Sequence, residues 1–140
     1  LDRPDLTKQA FIHGGYNTGD IGRIDADGFI FITGRLARFA KIAGEMVPLD
    51  NIETALATFA GGEIEVAVAA VSDPAKGERV LVLHTGYVGT PEVWFACLDS
   101  FPALWRPKAK DVHLVEAIPK LGTGKRDLAA IKRLAGERAG

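Results

Sequence analysis

Val66-Ala67-Val68-Ala69-Ala70-Val71 is an uninterrupted apolar run of strand length. A strand that is buried on both of its faces has this composition. Turn-forming residues at positions 73–78 follow the run, and a second apolar stretch follows at residues 79–84. The sequence therefore predicts two strands joined by a short turn, the first of them buried on both faces.

Amphipathic helical patterns lie on either side of these strands. Apolar residues recur at spacings of three and four in residues 49–59, which predicts a helix. Pro48 suits the first turn of this helix, and Gly61-Gly62 is expected to end it. Thr90-Pro91 predicts the start of a second helix, and Asp127 predicts the cap of a third. The apolar residues of these patterns are Leu49, Ile52, Leu56, Phe59, Trp94, Cys97, Leu98, Phe101, Leu128, Ile131, Leu134 and Ala135.

A β-hairpin is predicted near the N-terminus, after a short helical turn at residues 6–11. Residues 21–25 and 29–33 are β-prone, and the intervening turn fits type I with Gly28 in the left-handed conformation. Residues 111–115 predict a further strand. The fold class predicted is α+β: an N-terminal β-hairpin followed by a small three-stranded sheet packed with helices.

Composition narrows the function classes. The chain has 140 residues, of which 47% are hydrophobic and 25% charged, as in an ordinary globular domain. Its formal net charge of −1 provides no overall field that would recruit nucleic acid, so we expect no nucleic-acid partner. The three histidines are too scattered along the sequence to predict a metal site.

Localisation is predicted from what the sequence contains. The single cysteine, Cys97, cannot form an internal disulfide and fits a reducing, cytoplasmic compartment. The sequence has neither an apolar run long enough to span a bilayer nor an opening signal peptide. Leu1 begins in mid-pattern without an initiator Met, and we expect the chain to be a fragment of a longer protein.

The stretch at residues 118–125 (IPKLGTGK) is the strongest candidate for a functional loop. Its two glycines let the backbone pass close to a ligand, Pro119 fixes the direction of entry, and Lys125 is a cation on a long stem. This layout can present an ammonium group to a carboxylate or a phosphate. A surface turn that happens to contain a lysine is the alternative. A Walker phosphate loop is excluded, because Pro119 and Arg126 stand where it needs glycine and a hydroxyl.

Three separated stretches, in the same order, resemble one enzyme family. Residues 16–20 (YNTGD) are similar to its Y-x-T-G-D motif, residues 34–44 (GRLARFAKIAG) to its G-R-x5-K-x-x-G motif, and residues 119–125 (PKLGTGK) to its P-K-T-x-S/T-G-K motif. The chain thus resembles the C-terminal part of the adenylate-forming superfamily, which includes acyl-CoA synthetases, adenylation domains and luciferases. The resemblance covers nearly the whole chain.

The resemblance implies a two-step reaction. A carboxylic acid, expected to be a fatty acid, reacts with ATP to give an acyl-adenylate and pyrophosphate, and a phosphopantetheine thiol then accepts the acyl group. Lys125 would neutralise the charge that develops during adenylation. Asp20 would bind the ribose hydroxyls, Arg35 the ribose or phosphate side of the nucleotide, and Thr18 belongs to the same AMP/ATP-binding set.

The family's second half-reaction implies roles for other residues. The C-terminal domain swings between the two steps, so that Lys125 leaves and the Gly44 loop arrives. Gly44 would leave space for the pantetheine arm, with Lys41 and Arg38 as surface cations beside its entrance. Ala37 stands at the hinge position, where the family usually has Asp or Lys; a hinge needs torsional freedom more than a particular side chain. A solvated basic turn is the alternative for the two cations.

One branch of the family is most similar, the acyl-[acyl-carrier-protein] synthetases fused to 2-acylglycerophosphoethanolamine acyltransferases. Residues 38–47 (RFAKIAGEMV) and residues 121–125 (LGTGK) carry this similarity. It implies ATP, with Mg²⁺ in the full-length enzyme, and acyl carrier protein or CoA as the thiol partner. An ordinary acyl-CoA synthetase, or a non-catalytic binding module that kept the fold, are the alternatives.

The domain organisation follows from the same resemblance. Residues 1–33 would be the end of a large N-terminal domain with its connecting hairpin, and residues 34–140 the mobile C-terminal domain. The protein's own N-terminal domain is then a partner, and the fragment alone is expected to be inactive. The full-length protein is expected in the cytoplasm, or at the cytoplasmic face of the inner membrane.

Overall fold

The computed structural model describes residues 4–86 and 89–140, and the chain divides into two compact units after Arg38. This division lies five residues beyond the 33/34 boundary predicted from the sequence. The second strand of the hairpin continues to Arg35, and the backbone N–H of Leu36 donates to the carbonyl of Gly19 at 2.7 Å, so these residues stay with the first unit. The first unit contains α1 (Pro4–Ala10), β1 (Phe11–Ile12), β2 (Gly15–Tyr16), β3 (Asp20–Ile24), β4 (Ile30–Arg35) and a 3-10 turn (Leu36–Arg38).

The predicted N-terminal hairpin is confirmed. β3 and β4 pair antiparallel, and Gly28 in the turn has a φ of +87°, the left-handed conformation that favours glycine. The N–H of Gly28 donates to the carbonyl of Asp25 at 3.2 Å, and the Asp25 carboxylate accepts from the N–H groups of Asp27 and Phe29. The Asp25 side chain therefore stabilises the turn that the sequence predicts.

The second unit is a five-stranded sheet with helices on both faces. The sheet order is β6-β5-β8-β7. β9 pairs parallel with β8, on the same side of β8 as β5. Its elements are β5 (Phe39–Ile42), β6 (Glu45–Pro48), α2 (Leu49–Phe59), β7 (Val66–Asp73), β8 (Gly77–His84), α3 (Pro91–Phe95), β9 (Val112–Leu114) and α4 (Leu128–Arg138), with 3-10 turns at Ala96–Leu98, Ala103–Trp105 and Ala109–Asp111.

The α+β fold class is confirmed, and the sheet has five strands where the sequence predicted three. The two additional strands are β5 and β6, a hairpin within residues 39–48. The sequence predicted no strands in this stretch, since both strands are only four residues long and Lys41 interrupts the apolar pattern. Pairing of β5 with β8, at Ile42 and Gly77, joins this hairpin to the sheet.

Alternate side chains of β7 enter two separate cores, as the continuous apolar run predicted. Val66, Val68 and Ala70 pack on the face covered by α2, whereas Ala67, Ala69 and Val71 pack on the face covered by α4. Because successive side chains of a strand point to opposite faces, both faces must be apolar when both are covered. No helix in the described ranges is long and apolar enough to cross a membrane.

The helix caps also agree with the sequence. The Asp127 carboxylate accepts from the N–H of Ala130 at 2.9 Å, and the Thr90 hydroxyl accepts from the N–H of Val93. Two residues expected in the core are exposed instead, Phe59 at the end of α2 and Leu128 at the start of α4. Both stand at helix ends.

His84 is fully buried at the end of β8, where its ring packs edge-to-face on Trp94 with 4.9 Å between centroids. Its Nδ1 atom contacts the carbonyl oxygen of Gly86. Burial lowers the pKa of His84 below its ordinary value, and the nearby His113 lowers it further, although the Gly86 contact acts in the opposite direction. His84 therefore belongs to the core as a neutral side chain.

A buried ion pair joins distant parts of the second unit. The Nε atom of Arg79 on β8 lies 2.9 Å from the Asp111 carboxylate, and both side chains are largely buried. The same guanidinium donates to the carbonyl of Ser72 at 2.6 Å and to that of Ala139 at 3.0 Å. Arg79 thus ties together β7, the turn before β9 and the C-terminal end of α4.

Arg79→Ala is expected to lower the free energy of unfolding by about 3–5 kcal/mol, because it leaves the Asp111 carboxylate buried without its cation. Lys132→Ala, at an exposed position of α4, is the matched control and should change stability by less than about 0.5 kcal/mol. Urea denaturation of both variants measures the difference. A loss below about 1 kcal/mol for Arg79→Ala would show that the pair is screened like an exposed one.

Candidate functional site

The first unit brings Thr18, Asp20 and Arg35 together. Asp20 opens β3 and stands directly opposite Arg35, the last residue of β4, so that the Arg35 Nε atom lies 3.3 Å from an Asp20 carboxylate oxygen. The Thr18 hydroxyl accepts from the N–H of Asp20 at 3.2 Å. The motif at residues 16–20 and the start of the motif at residues 34–44, separate in sequence, therefore meet at one end of the hairpin.

This cluster is accessible to a ligand. The Arg35 side chain is 71% exposed and that of Asp20 is 24% exposed. An ion pair in such a position contributes little to stability and exchanges readily with other partners. Gly19 reverses the chain just before β3 with a φ of +72°, and its N–H donates to the Asn17 side chain at 3.0 Å. The hairpin thus offers one carboxylate and one guanidinium side by side.

Ala37 and Arg38 lie at the end of the first unit, in the 3-10 turn at Leu36–Arg38. Ala37 is exposed, and the division between the two units follows one residue later. Arg38 was predicted to be a surface cation, and this is wrong, because its side chain is only 8% exposed. Arg38 is in phase with Ala40 and Ile42, the buried residues of β5, so the alternation of the strand begins before the strand itself.

Gly44 lies in the tight turn between β5 and β6. Ala43 has a φ of +49° and Gly44 a φ of +87°, a pair of positive values that is typical of a type I′ hairpin turn. The N–H of Ala43 donates to the carbonyl of Lys76 at 2.8 Å, which fixes this turn on the turn between β7 and β8. A Cβ atom at Gly44 would meet no atom within 4 Å. Backbone conformation, more than space in this unit, therefore requires glycine here.

Lys41 projects from β5 beside this turn, and its side chain is exposed. Its backbone N–H donates to the Glu78 carboxylate at 2.6 Å. Glu45, on the other side of the turn, accepts a hydrogen bond at 2.7 Å from the indole N–H of Trp105. Sequence analysis missed the Trp105 contact, because sixty residues separate the partners and no local pattern links them.

Lys125 is presented on a closed turn. Lys120 and Arg126 form an isolated antiparallel bridge, the N–H of Leu121 donates to the carbonyl of Lys125 at 2.7 Å, and the N–H of Gly124 donates to that of Leu121 at 2.8 Å. Gly124 has a φ of +81°, the freedom that the sequence predicted for this loop. Lys125 itself is exposed, two residues before the Asp127 cap of α4. The turn holds the backbone and leaves the ammonium group accessible.

Two ion pairs support this turn, and sequence analysis missed both. Arg126 pairs with Glu53 of α2, and Lys120 pairs with Glu65, which precedes β7. Periodicity places Glu53 beside the buried stripe of α2 but cannot assign it a partner 73 residues away. The turn is therefore attached to the second unit at both of its ends.

The site residues fall into three groups. Thr18, Asp20 and Arg35 form one cluster in the first unit, whereas Gly44 with Lys41 and Lys125 occupy two separate turns of the second unit. Within residues 4–86 and 89–140, no group of three or more His, Cys, Asp or Glu side chains could hold a metal ion.

Among known proteins, those similar in sequence to this chain are ligases. It is 34% identical over 128 residues to a putative acyl–CoA ligase of Bacillus subtilis, a match that covers 89% of the chain and 25% of the relative. It is 34% identical over 127 residues to a long-chain-fatty-acid–CoA ligase of Mycobacterium tuberculosis, with the same coverage. The chain thus spans about a quarter of the length of these curated relatives. No protein-family model matches the chain.

Solved structures agree with the sequence relatives. The amide bond synthetase McbA of Marinactinospora thermotolerans matches with a TM-score of 0.68 and 29% identity over 94% of this chain and 27% of that one. ATP-bound MatB of Rhodopseudomonas palustris matches with a TM-score of 0.69 and 25% identity over 95% of this chain and 27% of that one. The relatives and structural neighbours are acyl-CoA ligases and other members of the adenylate-forming superfamily. The α+β fold is consistent with the C-terminal domain of such enzymes.

Gly44→Ala is expected to lower the free energy of unfolding by about 1–2 kcal/mol, although the site has room for the methyl group, because alanine is strained at positive φ. Gly122→Ala is the matched control. A Cβ atom there also meets nothing within 4 Å, and its φ lies outside the positive range, so stability should change little or rise. Denaturation curves compare the two; equal effects would contradict the type I′ turn.

Proposed function

We propose that this chain is the C-terminal part of an ATP-dependent, AMP-forming acid–thiol ligase. The full-length enzyme activates a carboxylic acid as an acyl-adenylate and transfers the acyl group to a phosphopantetheine thiol. The observation that carries the proposal is the turn at residues 119–127, which holds its backbone closed while it exposes Lys125 next to the start of α4. The ligase relatives support the reaction class.

Adenylation brings two anions together, the substrate carboxylate and the α-phosphate of ATP, and negative charge builds up at the phosphate as pyrophosphate leaves. The ammonium group of Lys125 stabilises this charge, and it does so without a proton transfer. Asp20 accepts hydrogen bonds from the ribose hydroxyls, and Arg35 contacts the ribose or phosphate side of the same nucleotide. Thr18 belongs to the same nucleotide-binding set, and its hydroxyl accepts from the backbone N–H of Asp20.

Mg²⁺ accompanies ATP in enzymes of this chemistry. No group of three or more His, Cys, Asp or Glu side chains that could hold a metal ion occurs within residues 4–86 and 89–140. We attribute binding of Mg²⁺ to the phosphates of the nucleotide and to the rest of the full-length protein.

The hairpin of the first unit supports attachment to a larger domain. Ile24, Phe29, Ile30 and Ile32 are each 65–69% exposed, on a ribbon of only two strands. Such a ribbon is marginally stable by itself, and a contiguous apolar surface of this kind marks an interface. We assign this surface to contact with the protein's own N-terminal domain, and residues 1–33 then belong to that domain. The location proposed for the full-length protein is the cytoplasm or the cytoplasmic face of the inner membrane.

The second half-reaction uses a different turn. Gly44 and Lys41 lie on the β5–β6 hairpin, apart from the Lys125 turn, so a rotation about Ala37 would present first one turn and then the other. Gly44 would pass close to the pantetheine arm. Ala37 is exposed at the end of the first unit, where a change of backbone torsion meets little resistance.

Lys125→Ala in the full-length protein is expected to lower the rate of adenylation by about 10²–10³, the usual loss for one preorganised electrostatic contact. Transfer from preformed acyl-adenylate to the thiol should stay nearly unchanged. Acid-dependent pyrophosphate release and single-turnover thioester formation measure the two steps, with Lys132→Ala as the control. Equal losses in both half-reactions would contradict the exchange of turns.

The thiol acceptor is proposed to be acyl carrier protein, and CoA is the second candidate because the relatives include CoA ligases. Of the two cations predicted beside the pantetheine entrance, Arg38 is buried and Lys41 is exposed. Lys41 can therefore attract an acidic carrier protein, whereas Arg38 cannot.

Fatty acids are the proposed acyl substrates, in line with the long-chain-fatty-acid ligase among the relatives. A binding module without catalysis is less well supported, since Lys125, Asp20 and Arg35 are all retained.

Lys41→Glu is expected to lower kcat/KM for acyl carrier protein more than for CoA, and the difference should fade at high salt, because electrostatic steering is screened. Both acceptors are compared at low and high ionic strength, with Lys110→Glu as a control for the change in net charge. If kcat/KM for acyl carrier protein changes neither on the charge reversal nor with ionic strength, Lys41 is not part of the docking surface. If CoA is far better throughout, the enzyme is an acyl-CoA synthetase.

A further inference from the structure

The turn that carries Lys125 is held at both of its ends by carboxylates from elsewhere in the second unit. Lys120 and Arg126 face each other across the turn as bridge partners. The Lys120 ammonium contacts a Glu65 carboxylate oxygen, and the Arg126 guanidinium contacts Glu53. Lys125 lies between these two attachment points and directly precedes one of them.

Glu53 is the better-buried of the two carboxylates. Its side chain is 14% exposed, against 44% for Glu65, and it uses both of its oxygens. One oxygen contacts Arg126, and the other accepts from the backbone N–H of Val68 at 2.8 Å. Because Val68 lies in the edge strand β7, Glu53 connects the residue beside Lys125 to the sheet.

The consequence concerns the ammonium group of Lys125. Its stem has four rotatable carbons, so its position depends on where the backbone holds its first atom. The hydrogen bonds within the turn keep the turn closed but do not attach it to the sheet. The Arg126–Glu53 pair does, and it is less exposed to screening than the Lys120–Glu65 pair.

We propose that Glu53 is a positioning residue for adenylation, which acts through Arg126 to hold Lys125 in place. The inference rests on the function proposed for Lys125, and it adds two residues to the machinery of the first half-reaction. Glu53 touches neither substrate nor nucleotide in this proposal. Glu53 restricts the turn before the reaction, so that Lys125 loses less conformational entropy when it reaches its position in the transition state.

Glu53→Gln is the sharpest variant. The Gln side chain keeps an oxygen that can accept from the N–H of Val68, while the charge that attracts Arg126 is removed. In the full-length protein we expect adenylation kcat to fall about tenfold, with KM for ATP little changed. Transfer from preformed acyl-adenylate to the thiol should stay within about twofold of the unaltered enzyme.

Two further variants separate position from charge. Arg126→Lys keeps a cation that can meet Glu53 and should retain most of the adenylation rate, whereas Arg126→Gln should lose about as much as Glu53→Gln. Glu63→Gln is the matched control, because Glu63 is an exposed carboxylate two residues from Glu65 and forms no ion pair among the described residues. It should leave both half-reactions unchanged.

A readout besides activity tests the same point. Trypsin cleaves after Lys125, and the rate of this cleavage in the folded protein reports local opening of the turn. We expect Glu53→Gln to accelerate it about fivefold while the control does not. Equal losses in both half-reactions, or no loss in either, would overturn the positioning role. So would unchanged cleavage together with unchanged adenylation.

Adenylation by the Lys125→Ala and Glu53→Gln variants distinguishes a wrong positioning role for Glu53 from a wrong function for the Lys125 turn. If Lys125→Ala lowers adenylation and Glu53→Gln does not, only the positioning role is lost. If Lys125→Ala itself leaves adenylation unchanged, the function proposed for the turn is wrong and the positioning role falls with it. Should Glu53→Gln lower the free energy of unfolding too far to assay, Arg126→Gln, which keeps the Glu53–Val68 hydrogen bond, decides between these outcomes.

Discussion

Burial of β7 and β8 on both of their faces constrains every other element of the second unit. Side chains of β7 alternate between two apolar cores, so each face of the sheet needs its own covering helix. α2 supplies one cover and α4 supplies the other. The outer edge of β7 is in turn contacted by a side chain, since Glu53 of α2 accepts from the N–H of Val68. Helix packing and edge protection are therefore linked through one residue.

Both candidate functional turns of the second unit depend on this sheet. The Ala43-Gly44 turn is joined to the β7–β8 turn by a hydrogen bond from Ala43 to Lys76. The turn that carries Lys125 is joined to α2 and β7 through Glu53 and Arg126. Neither turn rests on the other. Two independently anchored turns on one rigid sheet are what a domain needs if it presents a different turn in each of two half-reactions.

The cations of the second unit divide into two kinds. Arg79 and Arg126 are engaged with carboxylates and, for Arg79, with two carbonyl oxygens, so their charges serve to hold the fold. Lys41 and Lys125 are exposed at the two candidate functional turns, and neither forms an ion pair within the described part of the chain. A guanidinium forms several directed hydrogen bonds at once, whereas an ammonium group is a mobile point charge. The residue types thus match the two uses.

Local signals in the sequence determined the α+β class, the doubly buried strand β7, the left-handed Gly28 and the cap at Asp127, because each of these depends on neighbours within a few residues. The three motifs likewise indicated the ligase class. Tertiary structure alone decided that residues 39–48 form two further strands, that Arg38 is buried, and that carboxylates up to 73 residues away hold the basic residues of the fold. Short strands and ion pairs of this kind take their stability from partners distant in sequence, and no periodicity records which partner that is.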